Sequence, residues 1–161
     1  MKIIFREPVI KDSIQMHKLV IKCESLDLNS QYSYMLICTH FKKTSIVCES
    51  KGKVIGFISA YILPDRQNTI FIWQVAVDSS YRGNGIALKM LSSILSRKEL
   101  SDIKYIHATI SPSNIASRNL FKKLALYLNT SIRVNKFLKK ELFINESHEE
   151  EELYQIGPIN L

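Results

Sequence analysis

Residues 73–91, WQVAVDSSYRGNGIALKML, constrain this chain more than any other stretch. An alternating apolar run, the pattern of a strand, enters a turn with two glycines and leaves as the apolar repeat of a helix. A strand feeding straight into a helix belongs to a layered α/β architecture. The junction also has chemistry of its own. The first N–H groups of a helix lack acceptors within it, and that end carries partial positive charge. Glycine lets the backbone take positive φ and lets a bulky group come close. Arg82-Gly83-Asn84-Gly85-Ile86-Ala87 therefore suits a phosphate or pyrophosphate. A turn that needs glycine for its backbone angles alone is the plainer reading of the same residues.

Spacing excludes two nucleotide loops. GxxxxGK[ST] is absent. GxGxxG fails because Gly83-Asn84-Gly85 is followed by Leu88 where the third glycine belongs, and the elements before it are not βαβ.

The elements around the junction follow from periodicity. A strand starts at Ile3. Asp12 and Ser13 are placed to cap a helix running to about Glu24. LDLNSQ breaks it, and YSYMLICTHF reads as a second short helix. TSIVCES and KVIGFISAYIL are strands joined by a hairpin at Lys51-Gly52, DRQN is a turn, and IFIWQVAVD completes a three-strand antiparallel meander. A helix runs from the glycine turn to about Lys98. KYIHATI is a strand, and a helix opens at Ser113 or Asn114 and ends near Tyr127. Residues 131–138 read as a further strand, and LYQIGPI can add one more. The order β-α-α-β-β-β-α-β-α-β predicts an α/β fold with a mixed central sheet.

With 161 residues, no repeat and no low-complexity linker, residues 1–161 are expected to form a single domain. No apolar run approaches the ~20 residues of a membrane span, and the start shows no signal peptide. Cys23, Cys38 and Cys48 lack CxxC spacing and read as reduced thiols in a cytoplasmic protein. The net charge is +7, although residues 146–152, ESHEEEE, carry five carboxylates, so the remainder is more basic still. A basic body attracts polyanions. Its lysines are scattered over several elements, which argues against a nucleic-acid face.

VAVDSSYRGNGIA resembles the acetyl-coenzyme A motif of the GCN5-related N-acetyltransferases, Q/R-x-x-G-x-G/A, matched by Arg82, Gly85 and Ala87. Asn114, opening the helix after the next strand, matches a second feature of that family. The resemblance implies helices on both faces of the sheet, acetyl-CoA as co-substrate and no metal. It further implies coenzyme contacts from Val75, Val77, Arg82, Gly83, Asn84, Gly85, Ile86, Ala87 and Asn114. Many members carry a tyrosine in N-x-x-A-x-x-L-Y that protonates the departing thiolate. Here that position is Phe121, which has no proton to give, so Tyr127, Tyr32 or water must serve.

The implied chemistry is acyl transfer from a thioester to an amine. An alkyl ammonium has a pKa near ~10.4 and no lone pair, so it must lose a proton before it attacks. A small diamine acid as acceptor needs carboxylates for its ammonium groups and an aromatic face. The chain offers Asp27, Asn29, Tyr32 and Tyr34 in LDLNSQYSY, Trp73 on the strand entering the glycine loop, and His148 with Glu149 to Glu152 in the acidic tail. LDLNSQYSYMLICTHF, FIWQVAVDSSYRGNGIALKML and ATISPSNIASRNLF are similar to the branch of that family which acetylates the γ-amino group of L-2,4-diaminobutyrate in ectoine biosynthesis. The resemblance implies a homodimer that binds neither nucleic acid nor membrane. It implies that Asp27 pairs with a substrate ammonium, that Trp73 lines the acceptor pocket, that Tyr32 positions the amine or donates the late proton, and that Glu152 reaches the site from segment 146–161. On this reading Asp27 and Tyr32 are catalytic.

Each residue has a plainer role. Trp73 on an alternating strand reads as core, Asp27 and Asn29 as a turn or helix cap, and Tyr32, Tyr34 and Leu36 as packing. His40 is a candidate base or a satisfied surface group, His107 a packed strand residue and Cys38 a small buried hydrophobe. The competing functions are an acetyltransferase for a protein N-terminus or a polyamine, a nucleic-acid module, and a non-catalytic coenzyme A sensor.

Overall fold

The computed structural model describes residues 2–160, so the chain ends Met1 and Leu161 lie outside the described residues. The chain divides into two compact units, one of residues up to 61 with 72–101, the other of 62–71 with residues from 102 onward.

In the first unit the strands follow the order β1-β2-β3-β4, with β1 at Ile3–Arg6, β2 at Ile46–Ser50, β3 at Lys53–Leu63 and β4 at Arg66–Val77. β1 and β2 are antiparallel with Phe5 opposite Cys48, and β2 and β3 are antiparallel with Val47 opposite Phe57. Lys51 and Gly52 turn the hairpin at φ 50° and 74°. Helices α1, Asp12–Lys22, and α2, Gln31–Thr39, bury Met16, Leu19, Val20, Tyr34, Ile37 and Cys38 against Val47, Val54, Phe57 and Ala76. Helix α3, Ile86–Leu95, reaches Gly56 instead: a Cβ there would lie 3.3 Å from Met90 Cε and 3.1 Å from the Ala76 carbonyl oxygen. Successive strand residues face opposite ways. Gly56 and Phe57 therefore put α3 on one face of these strands and α1 with α2 on the other, as expected.

The start of α1 departs from the sequence reading. Lys11 is its N-cap residue and makes no side-chain cap, while Asp12 lies inside the helix. Asp12 is drawn away by stronger partners: its carboxylate accepts from Arg6 at 2.7 and 2.9 Å and from the Val9 amide at 2.7 Å. Likewise α2 is capped by Ser30, which accepts from the Ser33 amide, and not by Asp27 or Asn29.

In the second unit the strand order is β4-β5-β7-β6. β5, Tyr105–Ile110, runs parallel to β4, with Thr69 opposite Tyr105. α4 spans Ile115–Tyr127, β6 Ile132–Leu138 and β7 Glu151–Ile156. The turn into β4 takes only residues 64 and 65, so Arg66, Gln67 and Asn68 of the expected DRQN turn open the strand. β7 is the further tail strand, and it begins two residues earlier than LYQIGPI. It lies between β5 and β6, antiparallel to both, with Gln155 opposite His107 on one side and Arg133 on the other. Tyr154 and Ile156 are buried at every second position, which draws the acidic residues before them into the ladder. Among the described residues no helix is long and apolar enough to cross a membrane.

Candidate active site

The glycine loop is held from behind. Asp78 closes β4 and accepts from the Ser80 amide, starting a short 3-10 turn at Ser79–Tyr81. Arg82 follows, donating from Nε to the Val77 carbonyl oxygen at 3.1 Å and from Nη2 to Cys23 Sγ at 3.5 Å. Asn84 donates to the carbonyls of Tyr81 and Arg82. Gly83 and Gly85 take φ of 80° and 70°, and Gly85 is the N-cap of α3. A Cβ on either would meet nothing within 4 Å, so the backbone angle is what requires glycine, and the space before the helix is open. The loop is exposed, and a cleft of about 630 Å³ beside it is lined in part by Phe5, Asn84, Ile86 and Lys89. Open amides at a helix start, glycine angles and a nearby cation fit a phosphate-bearing substrate.

Immediately upstream, β4 alternates in burial. Ile72, Gln74 and Ala76 are buried, whereas Val75 and Val77 are half-buried and Trp73 is 45% exposed. Trp73 is thus not a core residue, and its indole leaves the strand on the face opposite Gln74. Gln74 was not foreseen as a side chain of interest. Its Oε1 accepts from the Tyr34 hydroxyl at 3.0 Å, and its Nε2 donates to the Asp27 carbonyl oxygen at 2.7 Å. Its own amide donates to Ser59 Oγ at 3.1 Å. Tyr34 is fully buried and packs edge-on against His17 and Phe57. Burial pushes its hydroxyl above the ordinary phenol range, against hydrogen bonds with Asn29 and Gln74. Tyr34 is accordingly both packing and a permanent donor. The Asp27 side chain is exposed, and Tyr32, in the first turn of α2, is 67% exposed. The structure brings Asp27, Asn29 and Tyr34 together with Gln74.

The remaining candidates belong to the second unit. Asn114 caps α4, its Oδ1 accepting from the Ser117 amide at 3.1 Å. Its neighbour Ser113 donates to the Glu149 carboxylate. Arg118, which the sequence did not single out, donates to the Tyr154 hydroxyl at 3.2 Å and to the Pro112 carbonyl at 2.9 Å, fixing the turn that Asn114 closes. Glu152 is half-buried in β7, opposite Ile110 of β5 and Lys136 of β6, so it is part of a sheet and not of a loose acidic tail. His148 stacks on Phe143 with ring centroids 3.8 Å apart. Phe121 is buried in α4, and Tyr127 is 63% exposed at its end. His107 is buried within bonding distance of Gln155, and burial first, then Arg66, lowers its pKa below the usual value. His40 is exposed at the end of α2.

The model of the acetyltransferase (GNAT) family matches residues 14–126, a span that includes the glycine loop and the cap at Asn114. The chain belongs to this family. It is 45% identical over 152 residues to the L-2,4-diaminobutyric acid acetyltransferase of Virgibacillus pantothenticus, covering 94% of this chain and 96% of that one. It is 46% identical over 155 residues to the enzyme of the same name from Vibrio parahaemolyticus, covering 96% and 86%. Among solved structures it is similar to the diaminobutyrate acetyltransferase of Paenibacillus lautus in complex with L-2,4-diaminobutyric acid and coenzyme A. That similarity has a TM-score of 0.94 and 39% identity, covering 98% of this chain and 95% of that one. As a GNAT protein the chain is an acetyltransferase using acetyl-CoA, which agrees with the reading of the glycine loop.

Proposed function

We propose that this chain transfers acetyl from acetyl-CoA to the γ-amino group of L-2,4-diaminobutyrate, giving Nγ-acetyl-L-2,4-diaminobutyrate in ectoine biosynthesis. The observation that carries this reading is the near full-length likeness to a structure holding both diaminobutyrate and coenzyme A. The coenzyme supplies the acetyl group as a thioester. Val75 and Val77 flank its path along β4, residues 82–87 receive the pyrophosphate on the amides before α3, and Asn114 contacts the coenzyme arm. Asp27, exposed before α2, draws a substrate ammonium. Trp73 offers its exposed ring as a cation–π face.

The γ-amine attacks the thioester carbonyl after losing a proton. The oxyanion takes a donor from the β4 backbone. The stretch is 74–77, where the Gln74 amide donates to Ser59 Oγ. Tyr32 has the phenolic proton that Phe121 lacks, and a coenzyme thiol, with a pKa near ~8.5, also leaves unaided. We take residues 1–161 as one cytoplasmic acetyltransferase domain that works as a homodimer, which light scattering coupled to size exclusion tests.

The function itself is tested by thiol release from acetyl-CoA against L-2,4-diaminobutyrate, ornithine, lysine, spermidine and a short peptide, with NMR locating the acetylated nitrogen. Selectivity for diaminobutyrate with a γ-acetyl product is the expected result. Preference for the peptide or the polyamine overturns the acceptor, and coenzyme binding without turnover overturns the enzyme.

A further inference from the structure

Gln74 is a buried primary amide in β4, set between the buried apolar residues Ile72 and Ala76. A buried amide is costly unless bonded, and a β-branched residue would suit the strand better. Its orientation follows from its partners. The Asp27 carbonyl only accepts, so it must face Nε2, and the Tyr34 hydroxyl then donates to Oε1. Asn29, between Asp27 and Ser30, lies near enough to the same hydroxyl to offset part of the effect of its burial. One turn earlier Ser30 caps α2 and pairs with Ser33 Oγ at 2.9 Å. β4, the loop at 27–30 and the first turn of α2 are therefore joined through a single side chain. Asp27 and Tyr32 stand on the two pieces that Gln74 and Tyr34 hold.

We propose that Gln74 is a positioning residue for the amine acceptor: by gripping the Asp27 carbonyl and the Tyr34 hydroxyl it fixes where the Asp27 and Tyr32 side chains meet the substrate. The proposal rests on the function inferred above. The coenzyme loop has separate anchors, Arg82 on Val77 and Cys23, so the relay acts on the acceptor and not on the coenzyme.

The test is steady-state kinetics of Gln74→Leu and Tyr34→Phe, each substrate varied in turn. Leucine removes both bonds and leaves the Asp27 carbonyl without its Gln74 donor. The expected result is a rise of about tenfold in KM for diaminobutyrate with KM for acetyl-CoA held within about twofold. Tyr34→Phe keeps the packed ring, loses only the hydroxyl, and moves the same split by less. It also carries the test should Gln74→Leu fail to fold. Unchanged KM for diaminobutyrate, or an equal rise in both constants, overturns the positioning role. Wild-type turnover is measured first. If the wild type ignores diaminobutyrate but takes another amine of the panel, the function reading falls and the split is read with that amine. No turnover of any amine overturns both.

Discussion

Arg82 donates from Nε to the carbonyl oxygen of Val77 at 3.1 Å, so the first residue of the glycine motif is tied back to the last residue of the strand before it. The same guanidinium meets Cys23 at the end of α1. Arg82 thus acts from behind the loop, setting the direction in which the amides before α3 point. Arg82→Ala is expected to raise KM for acetyl-CoA about tenfold, equivalent to ~1.4 kcal/mol, with KM for the amine nearly constant. Arg82→Lys should recover little, because a point charge cannot make both contacts from one planar group. Kinetics with acetyl-CoA varied would contradict this by returning the wild-type constant.

At Gly85 the backbone angle matters and the space does not. With φ at 70° and nothing within 4 Å of an added Cβ, Gly85→Ala clashes with no neighbour and carries backbone strain alone. The expected loss is about 1–2 kcal/mol, or ~3–6 °C in Tm for a chain of this length. Gly85→Asn should lose less, since asparagine tolerates this region. Thermal melts that rank Asn below Ala would refute the explanation.

What was legible in the sequence was local. The strand, glycine turn and helix of residues 73–91 are each specified by neighbours a few positions apart, and so is the hairpin at Lys51-Gly52. Gln74 was not legible because its partner Tyr34 lies 40 residues away, and a lone amide in an apolar run looks like any polar strand position. Alternation alone reads Trp73 as core, beside the acceptor-pocket role that the resemblance implies, but the phase of the strand puts Gln74 inward and the indole outward. The charge run before Leu153 masked the period of two that buries Tyr154 and Ile156, so the start of β7 was read as tail. Asp12 looked like a helix cap because Arg6, its partner, precedes it on another element.

That pair gives a stability prediction. The Asp12 side chain is 5% exposed and Arg6 bridges it to Glu49. Burial pushes the Asp12 carboxyl up, but the Arg6 bonds and the Val9 amide outweigh it and hold it below the usual value. Removing the cation leaves a buried charge without its counterion, so Arg6→Met should cost about 3 kcal/mol. A lowered folded-state pKa means that the unfolded chain binds the proton more readily. The contribution is therefore complete above the unfolded value near ~4 and is lost as pH falls through the folded one. Urea titrations from pH 7 to pH 2 should show Asp12→Asn less stable than wild type at neutral pH, with the gap closing in acid. A constant gap would refute it.

Asn114 has a cap that the structure shows and a coenzyme contact that is proposed, and one pair of substitutions separates them. Its Oδ1 accepts from the Ser117 amide at 3.1 Å and so caps α4, while the coenzyme contact proposed for it needs the side chain as well. Asn114→Ala removes both, and should lower stability by about 1 kcal/mol and raise KM for acetyl-CoA. Asn114→Asp keeps an accepting oxygen and complements the positive end of the helix, so the melt should stay at or above the wild-type value. It also removes the amino donor and sets a carboxylate facing a polyanionic coenzyme. If Asn114 touches the coenzyme arm, Asp is stable and impaired in acetyl-CoA binding. If Asp restores both the melt and KM, Asn114 is a helix cap and nothing more, and the coenzyme contact must be sought at the loop alone.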